Sequence, residues 1–236
     1  MQDLNLGNAK VAPDLLPTKP GERNWGLYSY FALWIGMDIG IPTYYLASSL
    51  IVGGMDLKWA MITILLANVI IAFPILANGH AGAKYGIPST IYWRSAFGFN
   101  GASIAAILRG VVAAGWCGIQ FWIGGSALNT VLGLLFPAWA AWELGKWVCF
   151  GVFLVLNIFI LIKGMGAIQK MEHWCAPMLI IWMVVLLVWA RTSAGGWGPL
   201  LRQQNTFAST TEFLTFFIVG LNANISYWGS MPLTVT

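Results

Sequence analysis

The sequence predicts an all-α integral membrane protein with six transmembrane helices, on three observations. Of its 236 residues 58% are hydrophobic and only 8% charged, against roughly 25% charged in a soluble domain. The mean hydropathy is +0.74. Six windows, 27–51, 59–77, 102–130, 144–162, 174–190 and 213–232, approach or exceed the ~20 mostly apolar residues that a helix needs to cross the hydrocarbon core. This composition excludes a soluble enzyme, a disordered chain and a disulfide-rich secreted module. Cys117, Cys149 and Cys175 all lie in apolar stretches, so no disulfide framework is implied.

Residues 1–26 are polar and dotted with Pro13, Pro17 and Pro20, with no apolar run of a signal peptide. They read as a cytoplasmic tail, disordered or loosely docked. Orientation follows from Lys and Arg in the connecting segments. With the N-terminus inside, the inner side holds Lys10, Lys19, Arg23, Lys84, Arg94, Arg109, Lys163 and Lys170. The outer side holds Lys58, Lys146, Arg191 and Arg202. Eight against four favours both termini inside, and the expected location is the plasma (inner) membrane. The net charge of +4 matters only through this asymmetry, and no feature suggests nucleic acid. About half of the 14 tryptophans fall near span ends, where amphipathic rings settle. The first span, 27–51, opens a five-helix body that ends at 190. The fifth window, 174–190, is short and the third is long enough to tilt strongly. Segment 78–101, rich in Gly, Pro and aromatics, reads as re-entrant or interfacial. Segment 191–212 reads as an outer loop before a last segment, 213–236.

Within these spans the polar residues are informative. Asp38 lies near the middle of the first span, where an acid costs about 2.5–3.5 kcal/mol to insert, so it needs a partner or water. Gly40-Ile41-Pro42 follows. Pro42 lacks an N–H and would clash with the Asp38 carbonyl four residues back. The helix therefore either breaks here, freeing carbonyls for a cation, or only kinks around a hydrogen-bonded, neutral Asp38.

In the third span Trp116 and Gln120 are four apart and share one face. An aromatic surface beside an amide suits a planar heterocycle with a π-face and a polar edge, and Gly115 and Gly118 leave room. Packing of Trp116 between helices, with Gln120 bonded to a neighbour, is the alternative. In the sixth span Gly220-Leu221-Asn222-Ala223-Asn224-Ile225-Ser226 suggests unwound backbone or a lined cavity, or else hydrogen bonds between helices. Arg109 is close enough to its span end to snorkel. His80 and His173 are too isolated for a metal site, and no catalytic or nucleotide-binding motif is present.

Five blocks in order carry a resemblance: LWIGMDIGIPTYYLASSL (33–50), NGHAGAKYGIP (78–88), RSAFGFNGA (94–102), GWCGIQFWIGG (115–125) and FIVGLNANISYWGSMPLTVT (217–236). Together they resemble the nucleobase:cation symporters, which carry purines, pyrimidines, hydantoins, allantoin and thiamine. The resemblance implies an inverted-repeat secondary transporter rather than an enzyme. This chain would hold its first five-helix repeat plus the sixth helix, and a C-terminal half would be needed for function. It also implies a site between interrupted first and sixth helices. By position, the family's stacking tryptophan and amide fall on Trp116 and Gln120, and its sodium-binding carbonyls on Gly36 and Ile39. A second aromatic contact of some members falls on Asn222, a departure that suggests a more polar, multiply hydrogen-bonding substrate or a stacking platform shifted to another residue. The expected site is thus Trp116, Gln120, Asp38, Gly40, Leu221 and Asn222 for substrate and Gly36 and Ile39 for cation. The expected partners are a heterocycle (uracil, cytosine, allantoin or hydantoin class) and the lipid bilayer. No cofactor is expected, only Na⁺ or H⁺ as coupling ion. The competing readings are a non-transporting six-helix scaffold and an amino-acid carrier of similar architecture, the latter disfavoured because Asp38 would repel a carboxylate.

Overall fold

A computed structural model describes residues 15–232, apart from the side chains of Pro199 and Leu200. Residues 1–14 of the expected tail and 233–236 of the last segment lie outside the described residues. Ten α-helices follow in order: α1 Leu27–Asp38, α2 Ile41–Val52, α3 Leu57–Tyr85, α4 Ser89–Tyr92, α5 Arg94–Leu135, α6 Pro137–Ala140, α7 Gly145–Ile162, α8 Met165–Ser193, α9 Gly198–Arg202 and α10 Thr210–Trp228. The described residues contain no strand. Four helices, α3, α5, α7 and α8, are long and apolar enough to cross a membrane. The pair α1 and α2, bent by 54°, makes up to five. The expected sixth crossing falls on α10, which is not among them. Its 19 residues include Thr210, Thr211, Glu212, Thr215, Asn222, Asn224 and Ser226, and these hold its hydropathy down.

The helix boundaries have local causes. α1 stops at Asp38, and Pro42 occupies the first turn of α2, where its missing N–H breaks no hydrogen bond. α8 begins at Met165, nine residues before the apolar window, so the charged stretch around Glu172 is helical. α10 opens with Ser209 accepting from the Glu212 N–H at 3.2 Å while the Glu212 carboxylate accepts from the Ala208 N–H at 2.8 Å, a reciprocal cap. Segment 78–101 is largely helical. α3 continues helical to Tyr85, and a short break leads through α4 into α5. At Gly98 the backbone takes φ +67° and ψ −177°, open in practice only to glycine, and this kinks the start of α5.

The chain forms two compact units. One holds 15–24, Trp59–Arg109 and 207–232. In it α3 and α10 run parallel. Trp59 at the start of α3 meets Phe213 at 5.1 Å and Phe217 at 6.1 Å, edge to face, while near the other end the Asn78 amide donates to the Pro232 carbonyl at 2.9 Å. The tail segment docks on the end of α3. Thr18 N–H donates to Gly86 O at 2.8 Å, and Arg23 Nη1 donates to Ala83 O at 3.0 Å. A side chain at Gly86, which has φ +67°, would meet Thr18 O at 2.8 Å, so glycine is what admits the tail.

The other unit holds Trp25–Lys58 and Gly110–Thr206. α1 packs along α8 through small residues, Ser29, Ala32 and Gly36, as helices do where lipid offers no hydrophobic drive. Gln169 Nε2 donates to Ser29 Oγ at 2.8 Å, the His173 ring Nε2 lies 3.0 Å from the same Oγ, and the Tyr28 hydroxyl donates to the His173 carbonyl at 3.0 Å. α5 meets α7 through Trp122 against Trp147 at 5.4 Å and Phe121 against Phe153 at 6.5 Å. Large apolar side chains such as Phe73, Leu76 and Trp174 are more than two-thirds exposed, as expected of lipid-facing surface.

At Gly125 a Cβ would lie 2.7 Å from the Phe150 Cα and 2.9 Å from its backbone nitrogen, atoms that move only with the helix. Gly125→Ala is therefore expected to cost about 1–3 kcal/mol, the range for overpacking. Gly118→Ala, with nothing within 4 Å, should cost almost nothing. Thermal unfolding of the two variants in detergent distinguishes them, and equal stability would show that α5 and α7 do not pack at this point.

Candidate functional site

The break between α1 and α2 is organised by one hydroxyl. Thr43 Oγ1 lies 2.6 Å from the Asp38 carbonyl and 2.7 Å from the Gly40 carbonyl, to which it donates, and accepts from the Gly40 N–H at 3.2 Å. Ile39 N–H still bonds Ile35 O, and Tyr44 N–H bonds Gly40 O. Among the described residues no donor reaches the carbonyls of Gly36 and Ile39. Their ordinary helical partners would be the N–H groups of Gly40 and Thr43, and Gly40 gives its N–H to the threonine instead. Backbone oxygens in this condition attract a donor or a cation. Gly40 itself is extended, at φ −155° and ψ 160°.

Asp38 is the last residue of α1, and its side chain is exposed. No hydrogen bond of its carboxylate occurs among the described residues, so the hydrogen-bonded Asp38 that the sequence allowed is not the one found. It stands where the helix end carries partial negative charge, an arrangement that favours a positive ion nearby.

A second carboxylate, which the sequence reading passed over, lies against Gly36. Glu172, two turns into α8, brings its carboxyl group onto the face of Gly36. A Cβ there would sit 2.8 Å from the Glu172 Cδ and 3.0 Å from Oε1. The Oε2 atom is buried and has no hydrogen-bond partner. The signal was an acidic residue nine positions after Lys163, but the apolar window begins at Trp174 and consigns it to a loop.

On α5, Trp116 is half-buried and Gln120 exposed. A Cβ at Gly115 or Gly118 would meet nothing within 4 Å, so these glycines leave this part of the helix open. Gly36, Asp38, Ile39, Gly40, Trp116 and Gln120 belong to one compact unit, and Leu221 and Asn222 to the other.

The expected interruption of the sixth helix is absent, because α10 is continuous from Thr210 to Trp228. The polar residues read as a break are accommodated helically. Asn224, buried, turns its amide back to donate to the Gly220 carbonyl at 2.8 Å, satisfying itself within its own helix. Leu221 is half-buried and Asn222 exposed. Arg109 is half-buried, and its Nε and Nη1 have no hydrogen-bond partner among the described residues. No cluster of His, Cys, Asp and Glu able to hold a metal occurs among the described residues.

The sequence pattern of a family described as permeases for cytosine/purines, uracil, thiamine and allantoin matches residues 17–235. A purine-uracil permease of Arabidopsis thaliana is 37% identical over 94% of this chain and 38% of its own length. An allantoin permease of Bacillus subtilis (strain 168) is 32% identical over 94% of this chain and 47% of its own. A hydantoin permease of Microbacterium maritypicum is 28% identical over 75% of this chain and 35% of its own. The chain thus spans less than half the length of these relatives. No solved structure matches.

Proposed function

The chain belongs to the family of permeases for cytosine/purines, uracil, thiamine and allantoin, and from that premise we propose that it is the N-terminal part of a secondary active transporter. The transporter carries a nucleobase or related planar heterocycle, of the uracil, cytosine, allantoin or hydantoin class, in symport with Na⁺ or H⁺. It sits in the plasma (inner) membrane with its N-terminus in the cytoplasm. Its chain crosses six times here, as one five-helix repeat and the first helix of the next. The observation that carries this reading is the broken first helix, whose Gly36 and Ile39 carbonyls lack donors beside Asp38. Such discontinuous helices hold coupling ions and substrates near the bilayer midplane.

Trp116 supplies the stacking surface and Gln120 the directional hydrogen bonds. Gly40 gives the break room. Alternating access comes from one bundle rocking against another, which requires the second repeat. Radiolabelled uptake tests this. The 236-residue chain alone is expected to accumulate no uracil, cytosine, allantoin or hydantoin, and the complete protein is expected to accumulate at least one. Absence of uptake by the complete protein for the whole panel would favour a scaffold role instead.

A further inference from the structure

Glu172 is the one acidic side chain of the described residues with a buried, unpartnered oxygen. A carboxylate removed from water must be neutralised by a proton, a cationic partner or a metal ion. The neighbouring elements supply no cationic partner. α1 offers Tyr28, engaged with the His173 carbonyl, and Asp38, itself acidic. α8 offers exposed Lys170, Cys175, and His173, whose ring nitrogen is engaged with Ser29. At the junction with α7, Lys163 lies over the Phe159 ring at 4.2 Å. None of them hydrogen-bonds the Glu172 carboxylate. What the carboxylate does face is Gly36, whose carbonyl also lacks a donor.

We propose that Glu172 is a side-chain ligand of the coupling cation, supplying an anionic oxygen from the face of Gly36 near the end of the first half-helix. The cation is Na⁺, the metal ion of the symport reading, and carboxylate and carbonyl oxygens are the hard ligands that suit such an ion. The proposal rests on the symport reading, but it assigns a role to a residue outside the break, on the helix packed against it. It also accounts for glycine at position 36. Any Cβ there would take the place of the carboxylate.

The test is thermal unfolding of the complete protein in detergent, with NaCl titrated against choline chloride at constant ionic strength. Na⁺ is expected to raise the midpoint of the wild type. Glu172→Gln keeps size and hydrogen-bonding capacity and should lose that rise, or need roughly tenfold or more NaCl to reach it. Outer-shell partners of bound metals already cost 10–100-fold. Gly36→Ala should do the same by displacing the carboxylate without removing it, and so decides the matter if Glu172→Gln does not fold. An undiminished Na⁺ response in both variants, or none in the wild type, overturns the proposal. Uracil, cytosine, allantoin and hydantoin added in choline chloride report separately on the transporter reading. Stabilisation by one of them without any Na⁺ response leaves that reading standing and removes Glu172 from it.

Discussion

Trp116→Ala is expected to weaken heterocycle binding about tenfold to a hundredfold while leaving membrane insertion and the unfolding midpoint of the ligand-free protein nearly unchanged. Stacking of a base on an aromatic side chain is worth roughly 1–3 kcal/mol, and 1.4 kcal/mol is a factor of ten. The substitution removes the flat surface and leaves Gln120 in place one turn away. Trp116 is only half-buried, which limits the structural cost. Trp116→Phe, which retains a smaller ring, should recover part of the affinity. Saturation binding to the complete protein measures both, and wild-type affinity in Trp116→Ala would remove this residue from the site.

Asp38→Asn is expected to preserve exchange of substrate across the membrane and to abolish accumulation against a gradient. The amide has the shape of the carboxylate, with a donor in place of one acceptor oxygen, but no charge to be balanced. The structure sharpens this expectation. The side chain is exposed and makes no hydrogen bond among the described residues, so replacing it leaves no partner stranded. Counterflow in proteoliposomes isolates exchange, and uptake driven by an imposed Na⁺ or H⁺ gradient isolates coupling. Gradient-driven uptake at the wild-type level would make Asp38 structural.

How much of this was legible in the sequence depended on whether a residue's chemistry acts locally. The break in the first helix was readable because Pro42 lacks a donor wherever it is placed, and Gly40 beside it offers little resistance. The supposed break in α10 was misread for a related reason. Two asparagines and a serine in an apolar run look like exposed backbone, yet Asn224 closes its hydrogen bond on Gly220 in the same helix. Nothing in composition separates an amide that opens a helix from one that serves it. Glu172 was invisible because its importance comes from Gly36 on another helix, 136 positions away in sequence (172 − 36). The docking of Arg23 on the end of α3 was hidden likewise, since a loosely polar tail gives no sign of which carbonyls it reaches.

The parallel pairing of α3 with α10 sets a timetable for synthesis. Between Tyr85, where α3 ends, and Thr210, where α10 begins, lie 125 positions (210 − 85). At about 5–20 residues per second, roughly 6–25 s pass between the two helices leaving the ribosome. Throughout that interval the Asn78 amide lacks the Pro232 carbonyl, and Trp59 lacks Phe213 and Phe217. α3 must therefore wait in the membrane, or under the cover of an insertion factor, without the partners it has in the folded chain. Ribosomes stalled before residue 207 should yield nascent chains that stay crosslinkable to the insertion machinery through Asn78, and those stalled well past 232 should release it.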